Sequence, residues 1–156
     1  MVNAQEVRYS DEEIEEFMQE RKVLPADWYS RLIRPNKEKG ELTVIGDKGN
    51  EFRIIVRPDD AMPLDFSVIL VVIPPRSNQD FKLRRYNGRH GGHRNRIEKE
   101  RIEGFHIHYA TERYQRRGSK EEAYAVQTER YNNYEGALRC LIEDANFVEP
   151  PQQVFF

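Results

Sequence analysis

The sequence predicts an α+β fold, in which a bent antiparallel β-sheet of about six strands lies between an N-terminal and a C-terminal helix. Three observations support this prediction. Apolar residues recur at helical spacing near both ends of the 156-residue chain. Between the ends they alternate with polar residues or form short apolar runs, as β-strands do. No helical segment separates these runs, which is typical of α+β proteins and not of parallel α/β folds.

Each of the two helices has an apolar stripe. The first follows the capping-box pattern Ser10-Asp11-Glu12-Glu13 and is expected to run from about Asp11 to Lys22, before Pro25. Its stripe consists of Ile14, Phe17 and Met18. The second helix is expected from about Tyr134 to Ala145. Its stripe consists of Leu138, Leu141, Ile142 and Ala145.

The central region contains the strands. Residues 42–45 and 52–56 flank the turn sequence Asp47-Lys48-Gly49-Asn50, which predicts a β-hairpin. The run from Phe66 to Ile73 is apolar on both parities, so a central strand covered on both faces is expected there. Further strands are expected at Phe81–Tyr86, Phe105–Arg113 and Ala123–Thr128.

Length and composition fit a single domain over residues 1–156, with a flexible N-terminus at 1–9 and a C-terminal tail at 148–156. The single cysteine, Cys140, forms no internal disulfide, and no apolar run reaches the length of a membrane span. A cytoplasmic protein without membrane association is therefore expected. The tail ends in Val154-Phe155-Phe156, which we expect to dock on the sheet or on a second copy in a homo-oligomer.

The charge of the chain is unevenly distributed. Residues 81–118 hold eleven Lys and Arg against four Glu, whereas the remainder holds fourteen against twenty-three acidic residues. All four histidines also lie in the basic segment, at His90, His93, His106 and His108. Imidazole serves proton transfer and metal binding near neutral pH, and clustered arginines favour a phosphate-bearing anion. This segment is therefore the predicted functional site.

The predicted strand at 105–113 places His106, His108, Ala110 and Glu112 on one face, because residues two apart share a face. His106 and His108 are the candidate acid/base pair, with Glu112 orienting one ring and His90 assisting on the phosphate. A polar, solvent-exposed strand face without catalytic role remains the alternative.

The preceding loop carries glycines at 88, 91 and 92 together with several arginines, a composition that allows backbone amides and guanidinium groups to surround an anion. It contains neither a Walker A nor a dinucleotide-binding motif. A mobile, solvated basic loop is the alternative. The residues predicted to bind phosphate or nucleic acid, including two tyrosines able to stack on bases, are Arg84, Arg85, Arg89, His93, Arg94, Arg96, Tyr86 and Tyr109.

These residues favour an RNA-directed protein, and more specifically a metal-independent endoribonuclease without cofactor. RNA carries its own nucleophile, so a base, an acid and cations that stabilise the transition state are sufficient. A non-catalytic module that binds nucleic acid or another polyanion is the first alternative.

The second alternative is a metal-dependent enzyme. The pattern His106-x-His108-x-x-x-Glu112 resembles the first metal motif of the cupins, which implies a β-barrel and a divalent transition metal held by these three residues. The sequence departs from that motif at Glu100, where cupins have glycine, and it has no histidine after His108. His90 or His93 would then have to supply a third nitrogen.

A longer pattern, Leu-Arg-x-x-x-Gly-x-His followed by Phe-His-x-His-Tyr, resembles a family of small, uncharacterised bacterial and phage-borne proteins. The matching residues are Leu83, Arg84, Gly88, His90, Phe105, His106, His108 and Tyr109. The resemblance implies a toxin of a toxin–antitoxin pair or a phage-defence factor, with an antitoxin as protein partner.

Overall fold

The computed structural model describes residues 7–59, 61–89 and 92–151. Its helices are α1 (Asp11–Gln19), α2 (Trp28–Leu32), α3 (Glu112–Arg116) and α4 (Tyr134–Asp144). Its strands are β1 (Lys22–Val23), β2 (Gly40–Ile45), β3 (Glu51–Arg57), β4 (Ser67–Ile73), β5 (Phe81–Asn87), β6 (His93–Asn95), β7 (Glu100–Ile102), β8 (His106–Tyr109), β9 (Tyr124–Gln127) and β10 (Phe147–Val148). Within this part of the chain, no helix has the length and apolar character needed to cross a membrane.

The main sheet confirms the predicted α+β class. Its six strands are antiparallel in the order β2-β3-β4-β5-β8-β9, so the sheet is open and β2 and β9 form its edges. A short parallel pair, β1 and β10, joins the two ends of the chain, and β6 pairs with β7 as a separate hairpin. The open sheet differs from the barrel that the cupin resemblance implied.

Helices α1, α2 and α4 pack on one face of the sheet. The core between them includes Ile14, Met18, Leu32, Leu138 and Leu141 from the helices. Strand β4 lies in the middle of the sheet and is buried on both faces, as its uninterrupted apolar run predicted. The opposite face of the sheet carries the two histidines of β8.

Both predicted helices are present, although α1 is shorter than expected. Ser10 Oγ accepts a hydrogen bond from the Glu13 amide, and the Glu13 carboxylate accepts one from the Ser10 amide, so the capping box is formed. The helix ends at Gln19 and not at Lys22, because Lys22 turns away to pair with β10. The Lys22 side chain is fully buried between the ends of α1 and α4.

The predicted strand at 105–113 is also shorter, ending at Tyr109. Thr111 begins a new helix, α3, because its Oγ1 accepts a hydrogen bond from the Tyr114 amide. Serine and threonine are preferred as the residue that caps the N-terminus of a helix. The negative charge of Glu112 in the first turn interacts favourably with the helix dipole. Glu112 therefore lies in α3 and not on the strand face that His106 and His108 share.

A one-residue bulge in β5 sets the directions of its arginines. Leu70 pairs with Arg84 and Val71 with Lys82, so Leu83 is the extra residue. An inserted residue reverses the alternation of side chains along a strand. Phe81 and Leu83 therefore belong to the helix-covered core, as does Tyr86 after the bulge, whereas Arg85 faces the histidine side.

The chain ends are partly described. Tyr9, within the segment expected to be flexible, makes edge-to-face ring contacts with Phe17 and Phe81 at 5.0 and 4.9 Å between centroids. At the other end, Val148 pairs with Val23 in the parallel pair of strands. The predicted docking of Val154–Phe156 lies outside the described residues.

Candidate phosphate-binding site

Three imidazole rings meet on the face of the sheet opposite the helices. His106 and His108 lie on this face of β8, as predicted, with ring centroids 4.9 Å apart. His93 comes from β6, and its centroid lies 4.6 Å from that of His108 and 6.1 Å from that of His106. The sequence placed His93 in a loop, so the third member of this cluster depends on the fold of the hairpin.

Each of the three rings is oriented by a backbone carbonyl. His93 Nε2 lies 2.7 Å from the Ala123 oxygen, His106 Nδ1 lies 2.8 Å from the Gly104 oxygen, and His108 Nδ1 lies 2.9 Å from the Glu122 oxygen. A carbonyl only accepts hydrogen bonds, so the ring nitrogen in each contact carries the proton. In a neutral ring the lone pair is then on the other nitrogen, Nδ1 of His93 and Nε2 of His108.

His108 is held in the neutral form. Burial lowers its pKa to about 2, and the positive charge of Arg85 and the neighbouring rings of His106 and His93 act in the same direction. The hydrogen bond to the Glu122 carbonyl only partly opposes these effects. His108 is therefore neutral at physiological pH, and the lone pair of its Nε2 can accept a hydrogen bond.

The β6–β7 hairpin covers the histidine row. Asn95 is fully buried, and its side chain donates to the Ala125 oxygen at 2.7 Å and accepts from the Ala125 amide at 2.8 Å. These bonds attach the hairpin to the outer edge of β9, along which no other strand of the described residues pairs. Consequently His106 and His108 are each only 2% exposed, and the alternative of a solvent-exposed polar strand face does not apply.

Helix α3 supports the other end of the hairpin. The Tyr114 hydroxyl donates to Glu98 at 2.6 Å and accepts from the Ile97 amide, while Arg113 forms an ion pair with Glu98 at 2.7 Å. Burial opposes ionisation of the Glu98 carboxyl, but the hydrogen bonds from Tyr114 and Arg113 outweigh burial and lower its pKa. The hairpin is therefore fixed to β9 on one side and to α3 on the other.

A cavity of about 340 Å³ opens between the hairpin, β5 and the 119–123 segment. Its cationic lining residues are Arg85, Arg94, Arg96 and Lys120. His93 and His108 form part of its wall, together with the polar side chains of Tyr114 and Ser119. None of the described residues that line it is acidic. Positive charge concentrated in a concave site with low-dielectric walls attracts anions.

Four residues that the sequence assigned to binding do line this cavity, namely Arg85, His93, Arg94 and Arg96, together with the predicted catalytic His108. Three others lie on the opposite, helix-covered face of the sheet. Arg84 pairs with Asp144 at 3.3 Å and covers the Tyr109 ring, and the Tyr86 hydroxyl donates to the same carboxylate at 2.7 Å. The β5 bulge directs Arg84 and Tyr86 there, and Tyr109 of β8 is paired with Arg84. Arg84 and Tyr86 thus serve the structural contact between the sheet and α4.

Of the other predicted site residues, Arg89 and Glu112 are described by the structure but lie away from the cavity, and His90 is not described. Arg89 is exposed outside the cavity lining, and Glu112 binds the Asp11 amide and Arg116 at the start of α3. His90 lies outside the described residues. The cupin-like set of His106, His108 and Glu112 is therefore not assembled. Across residues 7–59, 61–89 and 92–151, no three His, Cys, Asp or Glu side chains are arranged to hold a metal ion.

Sequence reasoning missed Ser119, Lys120 and the buried Glu122, all of which follow β8 in the chain. The threonine cap at Thr111 is a signal that could have shown the chain leaving the sheet there. The route by which the 119–123 segment returns to the cavity has no comparable local signal.

The chain matches no protein-family model, and no curated protein or solved structure is significantly similar to it. The fold and the site thus define the class only as an α+β protein with a basic, histidine-containing pocket.

Proposed function

We propose that this pocket binds a phosphate group of RNA. The observation that carries the proposal is the lining itself, in which four cationic side chains and two imidazoles surround one cavity and no described lining residue is acidic. Arginine presents a planar array of donors that matches phosphate oxygens, and lysine adds a mobile point charge.

The size of the cavity favours a small part of a nucleic acid. At about 340 Å³ it is near the lower end of the volumes of small-molecule sites. It therefore suits one phosphate with its attached sugar, and not a length of duplex. Recognition of single-stranded RNA commonly relies on contacts of this kind with individual nucleotides.

Binding can be tested with a short, fluorescein-labelled single-stranded RNA and the full chain. Its affinity should fall steeply between about 50 and 200 mM salt, because bound cations release counterions from phosphates. The triple variant Arg94→Gln, Arg96→Gln, Lys120→Gln should bind more weakly. It should also show a salt slope lower by about 2, at roughly 0.7 per lost phosphate contact on a single strand.

The matched control replaces Arg31, Arg34 and Lys39 by glutamine. These three exposed cations belong to the region of α2 and β2 and form surface ion pairs of their own. This control variant removes the same amount of positive charge. It should retain nearly the RNA affinity and the salt slope of the unmodified chain. Equal losses in both triple variants would show that overall charge, and not this pocket, determines binding.

A metal-independent endoribonuclease is the second candidate function, favoured by the contact between His93 and His108 in the pocket wall. His108 Nε2 would remove the proton of a 2′-hydroxyl, and the oxygen would attack the adjacent phosphorus. The bond from phosphorus to the 5′-oxygen would break, and protonated His93 would supply the leaving oxygen with a proton. A bound phosphate beside Arg85 would raise the pKa of His108 by offsetting the nearby positive charge.

RNA cleavage by this route should persist in EDTA and leave 2′,3′-cyclic phosphate ends. His93→Ala and His108→Ala should each lower the cleavage rate about 10²-fold, as expected for loss of a general acid or base. Tyr109→Phe, a change on the helix-facing side of the same strand, should leave the rate unchanged. If the protein binds RNA at this pocket but does not cleave it, the ribonuclease function is excluded and only the binding function remains. A protein partner such as an antitoxin remains a prediction.

A further inference from the structure

In the described part of the chain, no acidic side chain pairs with three of the cations that line the pocket, namely Arg94, Arg96 and Lys120. All three residues are exposed, so they lie where the cavity opens to solvent. The fourth cation, Arg85, is different, because its Nε lies 3.9 Å from a carboxylate oxygen of Glu122. The opening therefore has an excess of positive charge that no described carboxylate balances.

The acidic side chains near the opening already have other partners. Within residues 93–103, Glu98 pairs with Arg113, Glu100 with Asn95 and Glu103 with Arg101. On the other side of the opening, the Glu121 carboxylate accepts a hydrogen bond from the Lys82 amide at 3.1 Å. Moving one of these carboxylates to the opening would break an existing contact. An anion from solution is a source of neutralising charge that breaks none.

The backbone that carries the three cations is held in place. Asn95 lies between the two arginines, is fully buried and binds both backbone groups of Ala125. His93 Nε2 binds the oxygen of Ala123, in the segment that also carries Lys120. The two sides of the opening are thus joined to each other. A ligand that binds between them has little backbone to order, which lowers the entropic cost of binding.

The unpaired charge distinguishes between the two kinds of phosphate in RNA. An internal phosphate is a diester with one negative charge, and the strand continues on both sides of it. A terminal phosphate is a monoester, which carries close to two negative charges at pH 7 and presents three acceptor oxygens. The strand continues from it in one direction only. Three unpaired cations around one small cavity match the monoester better, in charge, in number of acceptors and in access.

We propose that the pocket binds the terminal phosphate monoester of an RNA strand, whose two charges are neutralised jointly by Arg94, Arg96 and Lys120. Internal phosphodiesters bind there more weakly. The inference rests on the proposed binding of RNA phosphate at this pocket, and it names the kind of phosphate. It also bears on the second candidate function, because cleavage requires an internal diester in the pocket.

The test compares short RNAs of one sequence, each labelled on an internal base, by their affinity for the full chain. The strands carry no terminal phosphate, a 5′-phosphate, a 3′-phosphate, or a 5′-phosphate methyl ester. One of the two phosphorylated strands should bind about tenfold or more tightly than the unphosphorylated strand, the effect of one added hydrogen bond between charged groups. Preference for either end supports the inference and identifies that end.

The methyl ester of the preferred end separates charge from position. It keeps a phosphate at the end of the strand, but it has one negative charge and one acceptor oxygen fewer than the monoester. It should therefore bind nearly as weakly as the unphosphorylated strand. If the 3′-phosphate is the preferred group, the corresponding 3′-methyl ester is the strand to compare.

The triple variant Arg94→Gln, Arg96→Gln, Lys120→Gln should bind phosphorylated and unphosphorylated strands about equally. The single variant Lys120→Gln, at an exposed position, should lose part of the preference. The control variant, with glutamine at positions 31, 34 and 39, removes three paired surface cations and should keep the tenfold preference. Circular dichroism and thermal melting would show that all of these variants fold.

Four results would count against these proposals. Equal affinity of the unmodified protein for phosphorylated and unphosphorylated strands would overturn the inference and leave RNA binding in place. Equal affinity for the monoester and its methyl ester would show that the position of the phosphate, and not its charge, is recognised. A preference that survives in the triple variant would place monoester binding outside this pocket. Failure to bind any strand would instead overturn the proposed function.

Discussion

Replacing Lys22 by methionine should lower the free energy of unfolding by about 3 kcal/mol, and the melting temperature by about 6–12 °C for a chain of this size. Lys22 Nζ donates to the backbone oxygens of Phe17 and Met18 in α1 at 2.9 and 3.2 Å, and of Ala145 at the end of α4 at 2.5 Å. It also lies 4.2 Å from the centre of the Phe52 ring. One ammonium group thus holds the ends of both terminal helices.

The size of the effect follows from the backbone carbonyl groups that lose their hydrogen-bond donor when methionine replaces Lys22. Burial lowers the pKa of Lys22 to about 8, against the opposing charge of Glu20, so the side chain is still protonated at pH 7. Methionine avoids the cost of burying a charge, but the helix-end carbonyls lose their donor in a dry environment, where each unsatisfied group costs roughly 1–3 kcal/mol.

The measurement is urea unfolding at pH 7 monitored by circular dichroism. Lys39→Met, at an exposed position, is the control and should change the free energy of unfolding by less than about 0.5 kcal/mol. A loss in Lys22→Met no larger than in this control would show that water satisfies the carbonyls, and that Lys22 does not join the helices.

Acid should destabilise the protein through His108, by about 3 kcal/mol between roughly pH 7 and pH 4. In the folded state burial, Arg85 and the two other imidazoles hold its pKa near 2, whereas an unfolded histidine titrates near 6.5. Below about pH 6.5 the unfolded chain therefore binds a proton that the folded chain does not. The stability is fully present above that pH and is lost progressively as the pH falls.

The test is the free energy of unfolding as a function of pH for the unmodified chain and for His108→Asn and His108→Phe. Neither asparagine nor phenylalanine titrates. Between pH 7 and pH 4 the free energy of unfolding of both variants should therefore fall by about 3 kcal/mol less than that of the unmodified chain, whatever their stability at pH 7. Carboxylates with lowered pKa values, such as Asp144, contribute in all three proteins and cancel in the comparison. Parallel profiles would mean that folded His108 accepts a proton readily.

Local patterns predicted the features of this protein that depend on neighbouring residues. The capping box at Ser10, the apolar run of β4 and the shared face of His106 and His108 all follow from short-range periodicity, and the structure contains each of them. The basic segment also led to the right part of the sheet, since four of the predicted arginine and histidine ligands line the pocket.

The features that were not predicted depend on single residues or on distant contacts. The inserted residue Leu83 reverses the alternation of β5, so Arg84 lies on the helix-covered side, as Leu83 does, and Arg85 lies on the histidine side. Thr111 starts a helix within an otherwise strand-like run. The enclosure of the histidines depends on Asn95 binding Ala125, thirty residues away, which no local period encodes.

The attachment of Asn95 to β9 also concerns self-association. An uncovered edge strand presents amides and carbonyls that can template a strand from another molecule, which is a common start of aggregation. Asn95 occupies both backbone groups of Ala125, and His93 occupies the carbonyl of Ala123, so the hairpin blocks intermolecular strand addition at this edge. The residues that enclose the pocket therefore also protect this edge of the sheet from strand addition.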